Sequence, residues 1–212
     1  MKTIMICLLW CASLLHLQSC PGQLRTKKPL VGGGCDGCEL MYTGMPRKIS
    51  ATDTSAGWYE KGQRLIISGT VFRRNARQPA PGVIIYYWQT DNNGYYAPRP
   101  GMDASTRRHG HIRGWVKTDT QGKYTICTIR PQPYPGEDMP AHIHLSVKEP
   151  DINEYYVDEF VFDDDPLLTK EKRQKLENRG GSGILNPVLH NGLWKATHNM
   201  QLGLHIPGYP EQ

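Results

Sequence analysis

With 212 residues, 38% of them hydrophobic, the chain is long enough to bury one substantial core without many disulfides. Its formal net charge of +5 is modest and spread along the sequence, and basic groups such as Arg73, Arg74 and Arg77 lie outside any nucleic-acid motif, so no nucleic-acid partner is expected. Short aromatic and β-branched runs punctuated by 22 Gly and 16 Pro point to a mostly β chain.

The first residues read as a targeting signal. Lys2 supplies the positive start, and the apolar run from Ile4 to Leu17 is interrupted only by Ser13 and His16. That run is shorter than the ~20 apolar residues of a comfortable membrane span. Leu17-Gln18-Ser19-Cys20 resembles a bacterial lipoprotein box, which predicts a leader over 1–19, a lipidated Cys20 attaching the protein to a membrane, and a periplasmic or cell-surface location. Gln18 is a less usual residue there, so plain secretion is the alternative. Residues 20–57 are expected to form a tether and an N-terminal arm, and 58–212 the folded domain.

Once the leader's Cys7 and Cys11 and the lipidated Cys20 are set aside, Cys35, Cys38 and Cys127 remain. Cys35-x-x-Cys38 lacks the second Cys or His pair that a zinc site needs. In an oxidising compartment a disulfide is the expected fate of two of these thiols, with one left over and the pairing open.

From Gly62 the pattern is that of strands. Arg64 to Arg73 is apolar and β-branched around Gly69, and Val83 to Thr90 is a continuous apolar run, so both read as buried sandwich strands. Asp91-Asn92-Asn93-Gly94 is a turn whose Asn-Gly step is a strong hairpin signal, and it delivers Tyr95 and Tyr96. A second turn, Asp119-Thr120-Gln121-Gly122, is expected to join Trp115–Thr118 to Lys123–Ile129 as a hairpin. Leu167 to Asn178 is helix-forming and stops at Gly180 and Gly181, which predicts the one notable helix.

The chemistry concentrates in PYPGEDMPAHIH, Pro133 to His144. Successive side chains of an extended strand point to opposite faces, so His142 and His144 project together and offer a two-point grip for a metal. The bland alternative is a pair of hydrogen-bonded sandwich histidines. Tyr134, stiffened between Pro133 and Pro135, suggests a third ligand.

Three motifs in order, WQTDNNGYY (Trp88 to Tyr96), RGWVKTDTQGKYTICTIRPQPYP (Arg113 to Pro135) and PAHIHL (Pro140 to Leu145), resemble the intradiol ring-cleaving dioxygenases, close to the protocatechuate 3,4-dioxygenase branch. The resemblance runs from about Arg64 to the C-terminal WKATHNMQLGLHIPGYP and includes FDDDP at Phe162 to Pro166. It implies an all-β sandwich of mainly antiparallel strands with long active-site loops and about one helix. It also implies a non-haem Fe(III) held by Tyr96, Tyr134, His142 and His144, hard phenolate oxygens suiting ferric iron. The family pattern of Gly, any residue, then Tyr selects Tyr96 over Tyr95, which reads as a rim aromatic. The implied reaction is cleavage of a catechol between its two hydroxyls by O2 to a muconate-type diacid, with Tyr134 as the ligand that leaves and takes a substrate proton. No flavin or nicotinamide is implied, and no Gly-rich dinucleotide motif is visible.

The sequence departs from the family at two places. Met139 stands where an Arg commonly precedes PAHIH, and Gly136 where an aromatic often follows PYP. Arg107, Arg108 and Arg113 are the candidates to replace that cation. The alternative function is an exported, non-catalytic β-sandwich that binds ferric iron, phenolics or carbohydrate. A second His-x-His, His109 and His111, reads as part of a polar loop beside Arg107 and Arg108. Asp163-Asp164-Asp165 reads as a solvated turn, without the spacing of a calcium loop. His190, His198 and His205 read as surface or satisfied strand residues.

Overall fold

A computed structural model describes residues 30–211; the expected leader over 1–19, Cys20 and the first part of the tether lie outside the described residues. The strands are β1 (Thr52–Thr54), β2 (Arg64–Phe72), β3 (Ile84–Gln89), β4 (Arg113–Lys117), β5 (Lys123–Ile129), β6 (His142–Lys148), β7 (Tyr155–Phe162), β8 (Ile184–Leu185), β9 (Val188–His190), β10 (Leu193–Thr197) and β11 (Met200–Gln201). Among the described residues one short helix, α1 (Lys170–Gln174), and 3-10 turns at Cys38–Tyr42, Ala56–Tyr59 and Ala104–His109 accompany them.

The strands form two sheets, one ordered β1-β5-β2-β10-β9 with β11 beside β2, the other β4-β3-β6-β7-β8. The long ladders β2–β5, β3–β4, β3–β6 and β6–β7 are antiparallel, whereas the short partners β1, β8, β10 and β11 join in parallel. This is the expected all-β sandwich, with more parallel pairing at its margins than the sequence suggested.

Alternation along the strands builds the core. Leu65, Ile67 and Val71 of β2 face Ile85 and Tyr87 of β3, Ile143, Leu145 and Val147 of β6, and Phe160 and Phe162 of β7 in one buried cluster. The opposite face of β3 carries Tyr86 and Trp88, which form a second cluster with Met41 from the N-terminal segment. Trp115 donates its indole N–H to Met41 O at 2.7 Å and Arg113 donates to Thr43 O at 2.7 Å, so the segment around 38–43 is fastened over the outer face of the second sheet. Cys35 and Cys38 form the disulfide, and Cys127 is the remaining thiol among the described residues.

Three local expectations are corrected. The Asp119–Gly122 turn does not close a hairpin: β4 pairs with β3, while β5 pairs with β2 and β1, so the turn carries the chain from one sheet to the other. The Asp91–Gly94 turn forms, with Asp91 accepting from the amides of Asn93 and Tyr95, but it opens into an irregular loop rather than a returning strand. The helix expected over Leu167–Asn178 is reduced to Lys170–Gln174 with Thr169 as its N-cap. Past Gln174 the amides of Lys175 and Leu176 bond three residues back, and those of Asn178 and Arg179 are taken by the Asp158 carboxylate, at 2.8 and 2.9 Å.

Phe160 is fully buried between the sheets. Phe160→Ala should lower the unfolding free energy by about 3–5 kcal/mol in urea denaturation, while Tyr59→Ala, on a residue 77% exposed, should stay within about 0.5 kcal/mol.

Candidate metal centre

Outward phase on β6 sets the site. Ile143 and Leu145 point into the core, so His142 and His144 share the outer face of the second sheet. Each ring is held by its far nitrogen. His142 Nδ1 lies 2.8 Å from Pro140 O, and His144 Nδ1 lies 2.6 Å from Glu159 Oε1. Both partners are acceptors, so each Nδ1 carries the proton and each Nε2 presents a lone pair. The two Nε2 atoms are 3.2 Å apart.

Two tyrosines meet them there. Tyr96 Oη is 2.7 Å from His144 Nε2, Tyr134 Oη is 3.0 Å from His142 Nε2, and the two phenol oxygens are 2.8 Å apart. The structure therefore brings together all four residues singled out in the sequence, and their donor atoms form a closed ring of short contacts. Tyr95 points elsewhere and is 58% exposed.

Loop packing holds the two tyrosines in place. Gly94, at φ +83°, lies where a Cβ would stand 2.2 Å from Pro133 O, so the Tyr96 loop can lie directly on the Tyr134 loop. Thr90 Oγ1 donates to Gln132 O at 2.7 Å and ties the same loop to the end of β3. On the β6 side, Asp165 accepts from the amides of Ala141 and Leu167 at 2.8 Å each. Asp163 pairs with Arg173 and Asp164 with Arg130. The acidic run forms the turn expected for it, with Asp163 and Asp164 exposed, while Asp165 is buried and ties that turn to the start of β6.

Burial, more than any other influence, pushes the Tyr96 phenol far above its ordinary pKa, and the Tyr134 oxygen and Glu159 carboxylate push in the same direction. Tyr134 is raised as well, first by burial, although its bond with Tyr96 works the other way. Burial lowers His142. A metal ion reverses the balance for the phenols, because a nearby positive charge favours their ionised form. Two hard oxygens and two imidazole nitrogens, already aimed at one point, fit a ferric ion.

Glu159 was missed in the sequence. It joins His142 and His144 in a cluster whose ligand atoms lie within 4.8 Å of one another. Its carboxylate is on the Nδ1 edge of His144, however, which makes it a support for that ring and not a member of the Tyr96–Tyr134–His142–His144 ring. A signal for it exists: the apolar alternation of β7 changes phase across Asp158-Glu159, inward residues being Tyr155 and Val157 before it and Phe160 and Phe162 after it.

The polar-loop reading of His109 and His111 is corrected too. The 3-10 turn Ala104–His109 buries Thr106 and His109 together. The His109 ring stacks on Trp88 at 4.1 Å, and Trp88 stacks in turn on His144 at 4.8 Å. Tyr86 Oη lies 2.8 Å from His109 Nδ1, and His111 sits between Ala97 O and Glu60. Of the candidate cations, Arg108 pairs with Asp36 and Glu39, and Arg113 donates to Tyr86 Oη and Thr43 O. Arg107 is exposed, as is Met139 at 44%.

The family model described as Dioxygenase matches residues 42–179. The chain belongs to the intradiol dioxygenase family. Members of this family are iron-dependent. The chain is 28% identical over 113 residues to the protocatechuate 3,4-dioxygenase beta chain of Burkholderia cepacia, covering 50% of this chain and 48% of that protein. It is 26% identical over 145 residues to catechol 1,2-dioxygenase 1 of Acinetobacter lwoffii, covering 57% and 45%. The chain spans about half the length of these curated relatives. Among solved structures it resembles the dioxygenase domain of a dioxygenase carbohydrate-binding protein fusion from Streptomyces sp. SirexAA-E, with a TM-score of 0.55, 26% identity, and coverage of 74% of this chain and 88% of that one.

His109 yields a pH prediction. Burial first, and then the charges of Arg108, His144 and Arg113, lower its pKa to about 3. The unfolded chain binds this proton near pH 6.5, so the contribution of neutral His109 to stability is present above about pH 6.5 and is lost as pH falls toward 3. In an NMR titration the His109 ring signals should stay flat from about pH 8 down to pH 5, a range in which an ordinary imidazole titrates.

Proposed function

We propose that this chain is a non-haem Fe(III) dioxygenase that opens a catecholic ring between its two hydroxyls with O2, giving a muconate-type diacid. The observation that carries the reading is the convergence of Tyr96 Oη, Tyr134 Oη, His142 Nε2 and His144 Nε2 within contacts of 2.7–3.2 Å. Family membership supplies the reaction class; the four-residue donor set supplies the place for it.

Tyr96, Tyr134, His142 and His144 would hold the iron. When bound, ferric iron supplies a Lewis-acidic centre that withdraws electron density from a chelated catechol and opens its ring to O2. Other functions fall to the protein. His142 and His144 keep their Nδ1 protons on Pro140 O and Glu159, which fixes the direction of each Nε2. Tyr96 is packed between the Tyr134 loop and Gly110, whose Cβ position is 2.9 Å from Tyr96 Cα. Tyr134 lies on a loop whose following residues Pro135 to Met139 are exposed, and its Oη is the group placed to take a proton from an incoming hydroxyl. Both atoms of O2 enter the product, and the substrate itself is the reductant, so no further electron donor is required.

The reading includes location. Residues 1–19 are the leader, Cys20 the lipidated anchor, and 20–57 a tether and arm, of which the segment around Met41 packs over Tyr86, Trp88 and Trp115 and Thr52–Thr54 adds β1 to the edge of the first sheet. In a bacterial host, Cys20→Ala should release the protein from membranes or block its processing; intact mass is the check, and a wild-type mass without lipid would leave only secretion.

Iron and turnover are tested together. Ferric-loaded protein should show a visible phenolate-to-iron charge-transfer band, Tyr96→Phe should bleach or shift it, and Tyr95→Phe should leave it nearly intact. With a catechol and labelled O2, both label atoms should appear in a muconate-type diacid. A product cleaved beside the hydroxyls would refute the reaction, and coloured protein without oxygen uptake would favour a binding role.

A further inference from the structure

β7 departs from regular pairing at one of the two β6 histidines. Ile143 pairs with Phe160 and Leu145 with Val157, so the single residue His144 is opposed by two, Asp158 and Glu159. That extra residue is a β-bulge, which bends a strand and re-aims a side chain. Its effect here is to turn Glu159 outward, where Glu159 Oε1 reaches His144 Nδ1 at 2.6 Å.

The bulge is held from two sides. Asp158 accepts from the amides of Asn178 and Arg179, at 2.8 and 2.9 Å. Gly183 passes so near that a Cβ there would be 2.0 Å from Glu159 O, and its own carbonyl receives Val161 N–H at 3.1 Å. The backbone from which the Glu159 side chain projects is therefore fixed by contacts independent of His144.

The two imidazoles are treated differently. His142 gives its Nδ1 proton to a neutral backbone carbonyl, whereas His144 gives its proton to a carboxylate. A charged acceptor strengthens the hydrogen bond and makes the opposite nitrogen the better electron donor.

We infer that Glu159 is a positioning residue of the metal centre: through the bulge it fixes the His144 ring by Nδ1 and supplies a negative charge that biases the site toward ferric over ferrous iron. The inference rests on the ferric reading above. It adds a role for a residue outside the four-donor set.

The test uses the full chain loaded with ferric iron, comparing wild type with Glu159→Gln and Glu159→Ala. Gln keeps the size of the side chain and a carbonyl acceptor for Nδ1–H but removes the charge. E159Q should release iron to a competing chelator roughly 10–100-fold more readily. Its phenolate-to-iron band should move to longer wavelength, and its reduction potential should rise by about 59 mV for each tenfold loss of ferric preference. In iron-free protein, NMR should show a hydrogen-bonded His144 Nδ1 proton that survives in E159Q and is lost in E159A. Iron-loaded E159Q that matches wild type in band, potential and release would overturn the role of the charge, and an unchanged Nδ1 proton in E159A would overturn the positioning. Wild-type protein that takes up no iron would instead overturn the ferric reading, and the charge-supplying role with it, while the iron-free NMR comparison still decides the positioning.

Discussion

The pleat of β6 is the constraint on which the rest of the site depends. Because Ile143, Leu145 and Val147 must enter the core between the sheets, His142 and His144 have no choice of face. A register slip by one residue would put two imidazoles into the core and three aliphatic side chains on the outer surface, at a cost of several kcal/mol. Tyr96 and Tyr134 are positioned relative to that fixed pair, by loops that leave the ends of β3 and β5 and pack on each other through Gly94. The hydrophobic core, rather than any contact among the polar groups, is what brings four ligand-type atoms to one point.

Those polar groups already pair with one another, each phenol against one imidazole nitrogen. The two phenols, raised by burial, lie within hydrogen-bond distance of the two imidazole nitrogens, and the Glu159 carboxylate lies on the far side of the His144 ring. If the phenols ionise around a trivalent ion, they and Glu159 supply three negative charges, which balances the ion in a half-buried place where uncompensated charge is costly. The same charge count gives a physical reason for a carboxylate, and not another carbonyl, behind one of the histidines. It also bears on Met139: an arginine there would add positive charge to a centre that already balances, so its absence is compatible with a working donor set.

Much of this was legible in the sequence. The His-x-His phase, the stiff Tyr134 between prolines and the apolar runs of β2 and β3 follow from periodicity and proline geometry, and strand ends agree with the described ones to within a residue or two. The choice of Tyr96 over Tyr95 did not follow from the residues, since adjacent tyrosines after a turn are equivalent until the loop's packing is known; the family pattern selected it. What stayed hidden was long-range. Asp119–Gly122 has all the chemistry of a hairpin turn, but which sheet the next strand joins is decided by partners far along the chain. Asp158 and Glu159 look like polar residues of an exposed strand, and only pairing with β6 reveals that together they oppose one histidine. His109 sits beside two arginines and so reads as solvated, although the 3-10 turn directs it onto Trp88.

The bulge connects these hidden features. Asp158 accepts from the amides of Asn178 and Arg179 and so holds against β7 the chain that follows the short helix Lys170–Gln174. The chain after the helix then returns as β8 in parallel with β7, with Gly183 lying over the Glu159 carbonyl. The chain after the helix, the parallel edge strand and the aim of Glu159 therefore meet at one two-against-one pairing opposite His144. A polar pair that breaks alternation in an otherwise apolar strand is a small local anomaly, and in sheets such irregularities collect beside functional sites because they re-aim a side chain without disturbing the core. Here the anomaly falls at the strand position facing a proposed iron ligand, which is where re-aiming a carboxylate has chemical effect.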